Sequence, residues 1–245
     1  MRQLFPNASD DVDLLVAYAP PPTGTHVRVN FVTSADGAAT VGGLSDGLSS
    51  PADKRVFGTL RTLADVVLVG AGTARAEGYG PAKASAERQE WRLSHGYAAV
   101  PPIAVISGRG DLDVTSPFFT EAVTRPIVYT VTSVNRPRLE ALRQVADVVA
   151  FDDDTVPARA VVDDLAARGL RRVLCEGGPS LFGQLLATDS VDELDLTVSP
   201  ILAGGGLPHI VGGDPLAVPH RMRLEHVLTD DGFLFLRYTR GATAR

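Results

Sequence analysis

Two glycine-rich turns, each following an apolar run, hold the residues best suited to chemistry: "VGAGTARAEGYGP" at 69–81 and "LCEGGPSLFGQLL" at 174–186. In the second, a β-branched and aliphatic run ends at Glu176, and Gly177, Gly178 and Pro179 precede an apolar stripe that opens with Ser180 and Leu181. Free amides at a helix N-terminus, together with the helix dipole, make a site for phosphate or pyrophosphate, to which Ser180 could add a hydroxyl. The competing reading is a plain Gly-Gly turn with Glu176 solvated. In the first stretch, Gly70, Gly72 and Thr73 would let backbone amides come close to a ligand, or would simply make a tight turn. The dinucleotide fingerprint G-x-G-x-x-G fails there because Arg75 stands in place of the third glycine. Two such loops, each after a buried strand, suit a ligand with both a pyrophosphate and a second ribose end.

A third loop, "ISGRGDLD" at 106–113, offers Ser107, Gly108 and Arg109, which either clamp a ribose 2′-phosphate or form a solvated turn. The stretch "VNFVTSADGAATVGGLSDGLSSP" at 29–51 leads through Ser34 and Asp36 into a long Gly/Ser loop of the kind that often contacts substrate. Asp36 fits a substrate contact and an Asx-turn equally well. Arg61, near Leu60 and Leu63, either snorkels or reaches into a pocket toward an anionic substrate.

Other templates fit poorly. "GPSLFG" places Gly183 one residue too late for a G-x-S-x-G nucleophile elbow, so a serine hydrolase built on Ser180 is disfavoured. The histidines at 26, 95, 209, 220 and 226 show no H-E-x-x-H and no close pairing, and the lone Cys175 cannot make a thiolate zinc site, so no metal is expected. A P-loop motif is missing. What remains is positioning chemistry in a dry cleft, of which hydride transfer from a cofactor is the leading example.

These loops need a frame, and the chain supplies one by alternation. "HVRVNFVTS" is a strand and "SPADKRVFGTLRTLA" a helix, with Ser50 as N-cap, Pro51 at the first helical position and Asp53 in the first turn. Strands follow at 65–70, 102–107 and 126–132, with a glycine-rich loop after the first and a polar helix around 82–95. A helix near 134–145, strand "DVVAF", a helix from 156 to 168 closed by Gly169, strand "RRVLCE", the helix of the second turn and strand "DELDLTVSP" complete the series. "MRLEHVLTDDGFLFLRYT" is a hairpin about an Asp-Asp-Gly turn. Near-continuous Val/Ile/Leu strands are buried on both faces, which predicts an α/β fold with a mixed, mostly parallel sheet and an antiparallel C-terminal hairpin. Residues 1–24, ending in the proline-rich "YAPPPTGTH" region, are expected to form an N-terminal extension, and 25–245 one domain.

The 245 residues carry 23 basic and 29 acidic side chains, a net charge of −6, without a basic run, which argues against nucleic acid as a partner. No apolar stretch approaches the roughly 18 residues of a membrane span. The N-terminus lacks a signal-peptide core, so a cytoplasmic protein is expected.

The motifs "SADG", "SSP" opening the helix that ends in "LR", "VLVGAGT", "EGGPSLFGQLL" followed by "VDEL", and "SPILAGGG" occur in an order that resembles the pyrimidine reductase family of riboflavin biosynthesis, over roughly 26–240. The resemblance implies a dihydrofolate-reductase-like three-layer α/β/α fold, a homodimer, and NADPH-dependent reduction of a ribosylamino-pyrimidine 5′-phosphate to a ribityl product. It implies cofactor contacts at Val32, Gly72, Thr73, Glu77, Ser107, Gly108, Arg109 and from Gly177 through Gly178, Pro179, Ser180 and Leu181. It places Asn30, Ser45, Arg61 and Glu176 toward substrate, with Asp36 and Glu176 as candidate catalytic groups. The sequence departs from the family at Asn30, where a lysine is usual, and at "EGYGP", which keeps the acid Glu77 but loses a later Leu and Arg. These losses keep open a dihydrofolate or dihydropterin reductase on the same fold; a non-catalytic NADPH-binding or sensing protein is an alternative of another class. The zinc deaminase motif often fused to this reductase is missing, so any deamination is expected from another protein.

Overall fold

Ser50 begins the first long helix as its pattern requires: its hydroxyl accepts from the Asp53 amide while Pro51 fills the first turn. In the computed structural model, which describes residues 1–241, the elements run β1 (Arg2–Phe5), α1 (Leu14–Ala17), β2 (His26–Ser34), α2 (Pro51–Thr62), β3 (Val66–Gly70), α3 (Ala71–Ala76), α4 (Ala86–Ser94), β4 (Ile103–Ile106) and α5 (Pro117–Thr120). They continue with β5 (Ile127–Val131), α6 (Arg136–Val145), β6 (Asp147–Phe151), α7 (Ala158–Ala167), β7 (Arg172–Cys175), α8 (Pro179–Ala187), β8 (Glu193–Ser199), β9 (Met222–Asp230) and β10 (Phe233–Arg240). The sequence places a loop after β3, but the chain instead winds at once into α3. Gly70 is its N-cap, with no side-chain capping bond.

One ten-stranded sheet has the order β1-β9-β10-β8-β2-β7-β3-β4-β5-β6. From β8 to β6 every neighbouring pair is parallel, and β10, β9 and β1 add antiparallel pairs at one edge. The expected mixed, mostly parallel sheet with a C-terminal hairpin is therefore present. Residues 1–24 contribute to it directly: Arg2 to Phe5 pair with β9, and Tyr18, 1% exposed, packs with α2.

Period-two strand geometry sends alternate side chains to opposite faces. Val66 and Leu68 of β3 join α7 and α8 in one apolar layer, while Val67 and Val69 pack with Leu142 of α6 and Phe118 of α5 in another. Leu60 of α2 and Leu174 of β7 extend that second side beneath the hairpin's Phe233 and Phe235. Every parallel strand thus ends at the same rim of the sheet, where ligands of open α/β folds bind.

Replacing Ser50 by Ala removes the one side-chain acceptor at the start of α2 and is expected to cost about 1 kcal/mol of stability. Urea denaturation measures it. An unchanged midpoint would show that solvent replaces the cap.

Candidate functional site

At that rim β7 ends in Cys175, fully buried with its thiol pushed up to about 12 by burial, and the amide of the next residue still donates to the Leu68 carbonyl of β3 at 2.9 Å. Glu176 remains inside, with 1% of its side chain exposed. Arg61, in the last turn of α2, donates from Nε and Nη2 to Oε1 and Oε2, each at 2.7 Å. The Tyr79 hydroxyl donates to Oε2 at 2.6 Å. Burial alone would lower the Arg61 guanidinium, but the Glu176 carboxylate outweighs it and holds the group above its ordinary value. Burial and the same carboxylate raise the Tyr79 phenol well above its ordinary range, so it stays protonated. The Phe57 ring lies 4.5 Å below the guanidinium as a cation–π platform.

Gly177 and Gly178 then reverse the chain. Gly177 sits at φ +95°, the left-handed region, and a Cβ there would meet the Phe31 ring at 3.0 Å. A Cβ on Gly178 would stand 2.3 Å from Thr73 Oγ1, so α3 and the start of α8 touch only because this residue is glycine. Gly178 caps α8 without a side-chain bond, Pro179 has no N–H, and the Ser180 and Leu181 amides have no backbone acceptor.

Two cavities flank this contact. One, of about 560 Å³, is lined by residues of β2, the 39–49 loop, α2, α3 and the turn after β7. It brings together Asn30, Val32, Ser45, Arg61, Gly72, Thr73, Glu77 and Glu176, along with Phe57 and Tyr79. The Ser45 amide donates to Glu77 Oε1 at 2.9 Å, which ties the 39–49 loop to the end of α3. The other, of about 740 Å³, is a groove lined by Gly72, Thr73, Arg75, Ser107, Gly108, Arg109, Asp111, Gly178, Pro179, Ser180 and Leu181. Gly72, Thr73, Gly178 and Pro179 border both.

Two residues expected in the site lie outside both linings. Asp36 is exposed, accepts from Ser34 Oγ and from the amides of Ala203 and Gly204, the latter at 2.8 Å, and so fastens the loop after β8. The Ser34 hydroxyl and those amides hold its carboxyl down to about 2, so in this structure it is an ionised turn former. Gly177 faces Phe31, and its carbonyl accepts from the Gly70 amide at 2.8 Å, joining β3 to β7. Conversely, Tyr79 and Arg75 are not signalled by pattern: Tyr79 lies in the departing "EGYGP" stretch, and Arg75 registers only as a missing glycine. Among the described residues no group of three or more His, Cys, Asp or Glu could hold a metal.

Comparison with known proteins places this geometry in context. The model of the RibD C-terminal domain matches residues 25–235. The 2,5-diamino-6-ribosylamino-4(3H)-pyrimidinone 5′-phosphate reductase of Archaeoglobus fulgidus is 28% identical over 186 residues, 74% of this chain and 82% of that protein. The riboflavin biosynthesis protein RibD of Mycobacterium tuberculosis is 29% identical over 182 residues, 74% of this chain but 43% of that protein. The crystal structure of a pyrimidine reductase-like protein from Corynebacterium diphtheriae superposes with a TM-score of 0.83 at 29% identity, covering 92% of this chain and 97% of the other.

Stranding a buried carboxylate costs far more than removing one hydrogen bond. Arg61→Leu is expected to lower stability by about 3 to 5 kcal/mol, and Tyr79→Phe by about 1 to 3 kcal/mol. Equal, small losses in urea denaturation would show that water satisfies Glu176.

Proposed function

The chain belongs to the RibD C-terminal domain family, and we propose that it is an NADPH-dependent reductase of a ribosylamino-pyrimidine 5′-phosphate, yielding the ribitylamino product in riboflavin biosynthesis. The observation that carries this reading is the pair of cavities meeting at Thr73 and Gly178. The groove fits the adenosine and pyrophosphate half of a dinucleotide. Free Ser180 and Leu181 amides at the start of α8 suit a pyrophosphate, the bare Gly72 and Gly178 backbones permit close approach, and Arg75 and Arg109 supply cations near the far end. The second cavity then holds the nicotinamide and the substrate side by side.

NADPH, when bound, supplies the hydride. The protein's own part is to orient and to exclude water. Glu176, fixed by three donors, presents its remaining acceptor capacity to amino or ring N–H groups of a pyrimidine. Phe31 and Phe57 give the cavity apolar walls. Tyr79 keeps its proton and donates a hydrogen bond with it to Glu176, so Tyr79 does not supply the proton consumed with the hydride. The name of the Archaeoglobus relative, which the chain matches over 82% of its length, favours the 2,5-diamino-4(3H)-pyrimidinone as the base, with the aminouracil as the other member of the class. The active form is proposed to be a cytoplasmic homodimer.

One observation favours a second reading, a dihydropterin-type reductase. Each cation lining the cavity already has a carboxylate partner: Lys54 Nζ lies 2.9 Å from Asp46, and Arg61 lies 2.7 Å from Glu176. A substrate phosphate must compete for them, whereas an unphosphorylated ring need not.

Side-by-side assays of NADPH oxidation with the diaminopyrimidinone phosphate, the aminouracil phosphate and dihydrofolate decide between these. Turnover of the ribosylated phosphates is expected to dominate. Turnover of dihydrofolate alone would establish the pterin reading, and cofactor binding without turnover of any substrate would identify a binding protein. Glu176→Gln is expected to reduce substrate turnover by roughly tenfold or more, as loss of a charge-assisted bond does, with little change in cofactor affinity by calorimetry. Equal loss of both would overturn the placement of Glu176 on the substrate side.

A further inference from the structure

The far end of the groove holds one carboxylate between two guanidinium groups. Asp111 Oδ1 accepts from Ser107 Oγ at 3.1 Å and lies 3.2 Å from Arg75 Nη1, while its Oδ2 lies 3.4 Å from Arg109 Nη2. Arg75 also donates to the Asp111 carbonyl at 3.3 Å. All four residues line the groove, and Asp111 is 32% exposed there, within reach of a ligand.

The arrangement is built into the backbone. Gly110 turns the chain at φ +57°, its amide donates to the Ser107 carbonyl at 3.1 Å, and Arg138 of α6 donates to the Arg109 carbonyl at 3.1 Å. A Cβ on Gly110 would press on Val134 at 3.0 Å, so the turn that sets Asp111 under Ser107 is specified by that glycine. Burial would raise the Asp111 carboxyl, but the Ser107 hydroxyl and Arg75 outweigh it and keep the group below its ordinary value, ionised at neutral pH.

The chemistry of a dinucleotide's adenosine ribose makes this triad informative. A carboxylate accepts from a ribose 2′-hydroxyl and repels a 2′-phosphate, whereas arginines do the reverse. Both determinants stand here at one place and are paired with each other. A 2′-phosphate gains the full value of Arg75 and Arg109 only by drawing them away from Asp111.

We propose that Asp111 is a specificity-determining residue of the cofactor groove: held between Arg75 and Arg109, it competes with a 2′-phosphate for both guanidiniums and so limits the preference for NADPH over NADH. Arg75, on α3, is the second jaw of the phosphate clamp opposite Arg109. The inference rests on the nicotinamide-cofactor reading above and concerns cofactor choice alone.

The test is calorimetric titration of the whole protein with NADP+ and NAD+, and with 2′,5′-ADP against 5′-AMP, for wild type, Asp111→Asn and Arg75→Ala. Asp111→Asn keeps the shape and the Ser107 contact while removing the charge. It is expected to raise the ratio of NADP+ to NAD+ affinity about tenfold, the equivalent of about 1.4 kcal/mol. Arg75→Ala is expected to lower the same ratio, and 0.5 M salt to narrow the difference for 2′,5′-ADP. An unchanged or reduced ratio in Asp111→Asn, with melting temperature preserved, overturns the proposal while leaving the cofactor reading intact. Failure of the wild-type protein to bind either dinucleotide overturns both.

Discussion

A carboxylate buried at the end of a central strand must be paired, and Glu176 is paired by groups from two other parts of the chain. Its position calls Arg61 from the last turn of α2 and Tyr79 from the segment after α3, so three elements converge on one side chain. Such a pair contributes less to net stability than its short distances suggest, because desolvating both ions offsets much of their attraction. What it secures is placement: α2 can dock in only one register that delivers Arg61, and the 77–79 segment must fold back over the cavity to deliver Tyr79. The walls of the cavity follow from satisfying that one charge.

The opposite end of the sheet carries a second buried charge cluster with a different task. Glu193 of β8 meets Arg28 and His26 of β2 and Arg237 of β10, at 2.6, 3.0 and 2.8 Å. Burial would raise the Glu193 carboxyl, yet Arg28 and His26 hold it down, while burial and Glu193 together push neighbouring Asp195 up. This cluster ties the parallel sheet to the antiparallel hairpin where β8 changes from a parallel partner to an antiparallel one. It lies at the strand ends remote from the ligand rim, so the sheet is fastened at one end by charge and left open at the other for binding.

How much of this the sequence discloses depends on how local each determinant is. The Ser50 cap, Pro179 at the head of α8 and the turn before Gly232 rest on short-range rules, and all are found where the pattern puts them. Asp36 fits two readings in sequence because an acid two residues after Ser34 serves either; the Ala203 and Gly204 amides that it accepts from are far away in sequence. Helix α3 is hidden in the sequence because Gly70 and Gly72 signal a loop, and the helix packs Ala71 and Ala74 against β4 without a side-chain cap. The alternation "VDELDL" suggests Glu193 and Asp195 on a solvated face. Only the in-phase His26 and Arg28 of the neighbouring strand hint that this face is buried. Tyr79 and Arg75 belong to the same class, since each acquires its meaning from a carboxylate distant in sequence.

The same logic extends to Gly178, whose missing side chain lets two distant loops meet. The groove and the cavity share Gly72, Thr73, Gly178 and Pro179, and at that border the backbone of one turn meets the side chain of the other. With a Cβ at Gly178, Thr73 would have to move and the two loops that form the shared border of the cavities would part. A ligand that spans both must cross this contact. The proposed dinucleotide, with its pyrophosphate at the start of α8, uses that border because the amides there have no backbone acceptor.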